Sequence, residues 1–265
     1  RNVTVNPSAV ITSVTGASPL CIGGTSAYTA NGVVTGGGTG AWSSSNGAVA
    51  TVSVAGLVTG VSAGTCNIIY TITGGCGGTV SAQRAVTINP NAAITSVTGA
   101  SPLCISGTST YTANGVVLGG GTGAWSSSNP VIATVSAAGL VTGISAGTCN
   151  IIYTITGGCG GIATASASVT ISAVSAATIS YSGSPWCSNA GVQSVIITGT
   201  PGGTFTALPA GLNINASTGE ISPGSSSPGT YTVTYTIFSV VCGNVFATAI
   251  VTINQIPDVI INDPA

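Results

Sequence analysis

The chain has 265 residues, of which five are charged (Arg1, Arg84, Glu220, Asp258 and Asp263), and it contains no His, Lys or Met. A net charge of -1 excludes the clustered Lys and Arg that nucleic acid or an anionic membrane surface would need. Without His, and with its acids scattered, the chain also lacks the usual means of general acid–base catalysis.

In chain order, residues 1–7 (RNVTVNP) match residues 84–90 (RAVTINP), so the chain opens on what reads as the last strand of a preceding repeat. Residues 8–90 make a first full repeat. Its landmarks are ITSVTGASPLCI at 11–22, GGGTGAWSSSN at 36–46 and GTCNIIYTITGGCGG at 64–78. All three return 83 residues later, in a second repeat over residues 91–172. A third, diverged repeat over residues 173–256 keeps SPWC at 184–187 and GTYTVTYTI at 229–237. Residues 257–265 (PDVIINDPA) read as the first strand of a following repeat. A fixed internal period marks a repeat array, and three whole domains cut from a longer array are expected.

Each repeat reads as strands. TYTVTYTI at 230–237 alternates Thr with Tyr, Val and Ile, the period-two pattern of a half-buried strand. Gly and Pro clusters break such runs at short intervals, and no 3.6-residue apolar period appears. An apolar content of 44% is enough to build cores, so a folded chain is expected. About seven short strands per repeat suit an antiparallel sandwich of immunoglobulin type. The fold class is all-β, with immunoglobulin-like antiparallel β-sandwiches in tandem. No apolar run reaches the roughly eighteen residues of a membrane-spanning helix. Eight cysteines in a His-free chain point to an oxidising, extracytoplasmic setting, with any secretion signal removed or outside this sequence.

The segment AWSSSNGAVATVSVAGLVTGVSAGT at 41–65 resembles group 2 bacterial immunoglobulin-like domains. The likeness rests on its Trp-Ser-Ser-x-Asn start, its Val-Ala-Thr-Val strand, and Gly-Leu-Val-Thr-Gly before Ala-Gly-Thr. It covers the first two repeats. The third repeat departs from it: Phe205 replaces the Trp, and two extra residues lie between Gly219 and Gly229. There GGTFTALPAGLNINASTGEI at 202–221 resembles the immunoglobulin- or PKD-like repeats of very large Bacteroidetes surface proteins, such as gliding adhesins and other type IX secretion substrates. The resemblance implies an array on the bacterial cell surface, used as an adhesin or stalk, with no catalytic residues. Expected partners are further copies of the same repeat and host or environmental surfaces.

Candidate sites are few. No Ser has a plausible base beside it, and Glu220 sits in a TGEI turn as a solvated charge. The GGGTG loops lack the following helix and the Lys of a phosphate cradle and read as flexible connections. The first two repeats hold no acids for calcium, and no cofactor or metal is expected. Trp42, Trp125, Phe205, Tyr70, Tyr153 and Tyr235 are expected core aromatics. For Trp186, burial and exposure stand level. Outward Thr ladders such as Thr230, Thr232, Thr234 and Thr236 leave an ice- or carbohydrate-binding module as a rival reading, although sandwich sheets twist and Thr is simply a good strand residue. A second rival is a self-assembling filament subunit that uses residues 1–7 for strand addition.

The cysteines form no C-x-x-C pair for zinc or redox work. Cys21, Cys104 and Cys187 recur at intervals of 83, as do Cys76, Cys159 and Cys242. Cys66 and Cys149 have no third counterpart, because Tyr231 stands there, and they read as free core thiols on an inward face with Ile68, Tyr70 and Ile72. The shared early and late cysteines can close within a repeat, as Cys21–Cys76, or between repeats, as Cys21–Cys159 and Cys104–Cys242. Placing Cys21 at the start of immunoglobulin strand B and Cys76 in the F–G turn puts them at opposite ends of the sandwich. The strand between them alone spans ~20 Å, beyond the ~7 Å limit between disulfide Cα atoms. That topology leans to the inter-repeat pairing, which would send Cys76 back to a preceding copy and Cys187 forward to a following one. The within-repeat pairing stays open, and eight cysteines allow about 105 complete pairings.

Overall fold

A computed structural model describes residues 1–257. Alternation decides the strands. In Gly64–Thr73, Cys66, Ile68 and Ile72 are buried while Thr65 and Thr73 face out. In Val80–Asn89, Val86 and Ile88 are buried while Ala85 and Thr87 are exposed. A strand turns successive side chains to opposite faces, so each run buries one row and leaves the other in water.

In the first domain these two long strands form the centre of a four-stranded sheet. Thr39–Ser44 flanks one side and the short strand Leu20–Cys21 the other. A three-stranded sheet of Thr25–Ala27, Leu57–Gly60 and Ala50–Val52, with the pair Ser13–Thr15 and Thr29–Asn31, closes over it. The core between them holds Val14, Tyr28, Val58, Ile68, Val86 and Ile88. The second domain repeats this arrangement over strands from Ser96–Thr98 to Ala163–Ser172. The third keeps the four-stranded sheet, as Trp186–Cys187, Val245–Asn254, Gly229–Ile237 and Thr204–Leu208. Its opposite face shrinks to the pair Ala177–Tyr181 and Val195–Gly199, with isolated bridges at Gln193 and Ile214 to Ile221.

One expectation is corrected. Cys21 does not start strand B. It ends a short strand that runs parallel to the domain's last strand, in register with Asn89. The chain completes this ladder before it crosses to the other sheet at Thr25–Ala27. Residues 1–7, expected as the last strand of a preceding repeat, are exposed and pair with none of the described residues as a ladder. Of the expected first strand of a following repeat, residues 257–265, all but residue 257 lie outside the described residues.

Candidate functional site

The chemistry-bearing groups gather where one domain meets the next. Parallel pairing places Cys21 beside Asn89, immediately ahead of the linker at Pro90. The second domain offers Cys159 there, from the turn between its two longest strands. The Cys159 N–H donates to Gly119 O at 2.9 Å, and its own carbonyl accepts from Ala92 N at 2.6 Å. The two cysteines are joined, with Cα atoms 5.4 Å apart. Cys104 and Cys242 are joined in the same way between the second and third domains, with Cα atoms 5.5 Å apart. Cys104 is in register with Ser172, the last residue of its domain's closing strand.

Each junction therefore has two covalent links, a peptide linker and a disulfide, about one strand spacing (~4.8 Å) apart. Two such links restrict the relative rotation of the domains more than one flexible linker would. Contacts around the first linker oppose the motion that remains. Gly119 and Gly120, at φ 61° and 90°, fold the loop against the linker. A Cβ on Gly119 would collide with Pro90 O and Ala92 N, and one on Gly120 with the Asn89 amide. The Gly-rich loop is thus a cradle for the linker, not the flexible connection its composition suggested, because the backbone approaches too closely for any side chain. Nothing in the spacing of GGGTG announced this. The match of Asn6-Pro7 to Asn89-Pro90, each followed about thirty residues later by that loop, was the available signal.

The remaining thiols divide by position. Cys66 and Cys149 are free and buried, each beside a serine hydroxyl: Ser44 Oγ at 3.6 Å and Ser127 Oγ at 3.7 Å. Cys76 and Cys187 are free and exposed. No Cys21–Cys76 bond forms.

Of the expected core aromatics, Phe205 and Tyr235 are buried. Trp42, Tyr70, Trp125 and Tyr153 are corrected to half-buried: they pack against the cores from one side. Trp42 meets Tyr70 edge-on at 4.8 Å and Trp125 meets Tyr153 at 4.9 Å, a geometry that aromatic quadrupoles favour. Trp186, left level between burial and exposure, is buried. The buried Tyr28 and Tyr111 escaped the sequence reading, because each sits between two three-residue strands too short to show alternation. The Tyr28 hydroxyl donates to Ala17 O at 2.8 Å, and Tyr111 to Ala100 O at 3.0 Å. Burial raises both phenol pKa values above their ordinary range, although for Tyr28 the nearby Arg84 pulls the other way.

Glu220 is exposed and accepts from Thr218 Oγ1 at 3.2 Å. The outward threonines satisfy one another across strands: Thr65 with Thr87 at 3.3 Å, Thr148 with Thr170 at 3.2 Å, Thr230 with Thr252 at 3.1 Å. Among the described residues, no group of acids, His and Cys is arranged to hold a metal ion, and no helix is long and apolar enough to cross a membrane.

Fold and junctions together define a class: tandem immunoglobulin-like β-sandwiches, cross-linked head to tail by disulfides, the make-up of an extracellular structural repeat protein. The chain belongs to the family of bacterial Ig-like domains (group 2), which matches residues 1–82 and again 82–164. Domains of this family are typically structural and not enzymatic. No curated protein matches the chain. Among solved structures it is similar to mouse cadherin-23 EC22-24, at 11% identity and TM-score 0.39 over 90% of this chain and 95% of that one. It is also similar to domains 4-9 of the surface layer protein SbsC, at 14% identity and TM-score 0.30 over 93% of this chain and 48% of that one. A third is a C-terminal fragment of intimin, solved with the intimin-binding domain of its translocated receptor. That match has 18% identity and TM-score 0.37, over 66% of this chain and 67% of that one.

Proposed function

We propose that the chain is a load-bearing segment of a repetitive bacterial cell-surface protein, an adhesin, stalk or fibre, with domains at residues 8–90, 91–172 and 173–256. One observation carries this reading: consecutive domains are joined twice, by linker and by disulfide, at the same two repeat positions each time. Locking the relative orientation of consecutive domains is what a strut requires. Low charge fits the same role, since neighbouring struts would not repel one another. Small-angle scattering of the oxidised and the reduced chain tests it. Reduction should leave every domain folded but broaden the distribution of end-to-end lengths. Identical profiles would remove the mechanical reading. Labelling of intact bacteria with antibodies raised against the chain tests the surface location.

A second reading, strand addition between subunits, has its own support. Val3 and Val5 are 84% and 86% exposed, while their repeat equivalents Val86 and Ile88 are 0% and 1% exposed. Concentration-dependent filaments seen by electron microscopy, lost on deletion of residues 1–6, would favour it.

A further inference from the structure

The N-terminal face of the first domain carries the same fittings as the N-terminal face of the second, and there the fittings are in use. Cys76 N–H donates to Gly36 O at 3.0 Å, as Cys159 does to Gly119 at 2.9 Å. Ala9 N–H donates to Cys76 O at 2.7 Å, as Ala92 does to Cys159 at 2.6 Å. Gly36 and Gly37, at φ 61° and 86°, cradle Pro7 and Asn6, as Gly119 and Gly120 cradle Pro90 and Asn89. What differs is cover. Cys159 is 7% exposed beneath the first domain, whereas Cys76 is exposed and unbonded.

The opposite face recurs too. In all three domains the early cysteine sits on a short strand parallel to the closing strand, in register with Asn89, Ser172 or Asn254. Its carbonyl accepts from the residue three further on, Gly24, Gly107 or Ala190, each at 2.9 Å. Two of these cysteines are bonded forward to the next domain, and Cys187 is not.

We infer that the first domain's N-terminal face is the receiving half of a covalent junction. Its occupant is a further repeat of this same type, which uses residues 1–6 as its last strand and offers a cysteine at the position of Cys21. Residue pattern and register agree on this occupant. Val3 and Val5 fall where Val86 and Ile88 fill the core of a complete repeat. Asn6 then takes the place of Asn89, whose ladder partner is Cys21. The partner thiol thus arrives beside Asn6, and so beside Cys76. Cys187 is the giving half of the same junction at the other end.

Bond formation needs a disulfide oxidant, such as oxidised glutathione. The Cys76 thiolate attacks one oxidant sulfur and expels a thiolate. The partner thiolate then attacks the Cys76 sulfur of the mixed disulfide and expels the second. Two protein thiols become one disulfide, and the oxidant is reduced to two thiols that take up the two protons.

This inference rests on the array reading above, and the two fail separately. A chain that stiffens on oxidation while Cys76 stays free sinks this inference alone. The test is the full chain extended at Arg1 by a second copy of residues 8–83, so that residues 1–7 stand where residues 84–90 do. After refolding with oxidised and reduced glutathione, peptic mapping should find Cys76 linked to the Cys21 of the added copy. Its alkylation by iodoacetamide should fall at least tenfold, while Cys187 remains reactive as an internal reference. Amide exchange at Val3 and Val5 should slow at least tenfold against the unextended chain, and should stay slow in the extended Cys76→Ser variant. Cys76 still alkylated, Cys76 linked elsewhere, or unprotected Val3 and Val5 would each overturn the inference. Intact Cys21–Cys159 and Cys104–Cys242 peptides from the original chain show that the rest has folded.

Discussion

The first and third domains share one sheet and differ in the other. Both have a four-stranded sheet of the same order, with the parallel cysteine-bearing strand at its edge. Facing it, the first domain has three strands and an extra pair, while the third has one pair and two bridges. The preserved sheet holds the early cysteine, the closing strand and the turn that carries the late cysteine. Both cysteines of the junction are therefore carried by the preserved sheet and its turn, and the opposite sheet can vary as long as it covers a core. How each covers it is instructive. The aromatic pair opposite one another across the ladder is Trp42 and Tyr70 in the first domain, Phe205 and Tyr235 in the third. The first pair is half-buried. The second is buried, at 2% and 1% exposure, in a core that also gathers Leu212 and Ile214 at its margin.

That contrast can be broken most strongly at Tyr235. Truncating it to Ala should destabilise the third domain by about 3–5 kcal/mol and leave the first domain's transition in place. Denaturant unfolding followed by Trp fluorescence, with Trp186 reporting on the third domain, checks this. If all domains melt together at the lower midpoint, the cores are not independent. Next in size is the shared feature. Cys104→Ser should lower resistance to unfolding by about 2–4 kcal/mol. It should also release the third domain from the second without altering the scattering signature of the first junction. A variant as stiff as the parent would show that the linker alone sets the geometry.

A smaller effect separates the first two domains. Gly23 has φ 77° where the second repeat places Ser106 at φ 66°. A side chain in that left-handed region costs about 1–2 kcal/mol, so Gly23→Ser should lower the first domain's melting temperature by a few degrees and Ser106→Gly should raise the second's. Smallest is an alkaline effect at Tyr181. Its hydroxyl donates to Gly219 O at 2.6 Å, and burial raises its pKa above the ordinary value near 10. A folded-state pKa above the unfolded one means that this contribution is complete below about pH 10 and is lost as pH rises toward the folded value. Tyrosinate absorbance should therefore lag for one phenol in the third domain, and Tyr181→Phe should remove that lag.

Much of this was legible in particular residues. The inward row Cys66, Ile68 and Ile72 could be read because neighbouring side chains in a strand must face opposite ways. The 83-residue period could be read because whole motifs return. The half-burial of Trp42 and Trp125 could not, since it depends on which distant segments pack against each ring, such as the turns at Gly56 and Gly139. Tyr28 was hidden for a similar reason, lying between strands too short to carry a period.

What the sequence by itself determined is therefore local and periodic: strands, their inward faces, three repeats, and the sorting of cysteines into those every repeat keeps and those it does not. What only the tertiary structure decided is which surfaces meet. The place of Cys21 follows from a parallel pairing with residues near position 88, and the Gly-rich loop becomes a cradle because another domain's linker lies against it. Both depend on contacts between segments far apart in the chain, and period-two alternation carries no information about those.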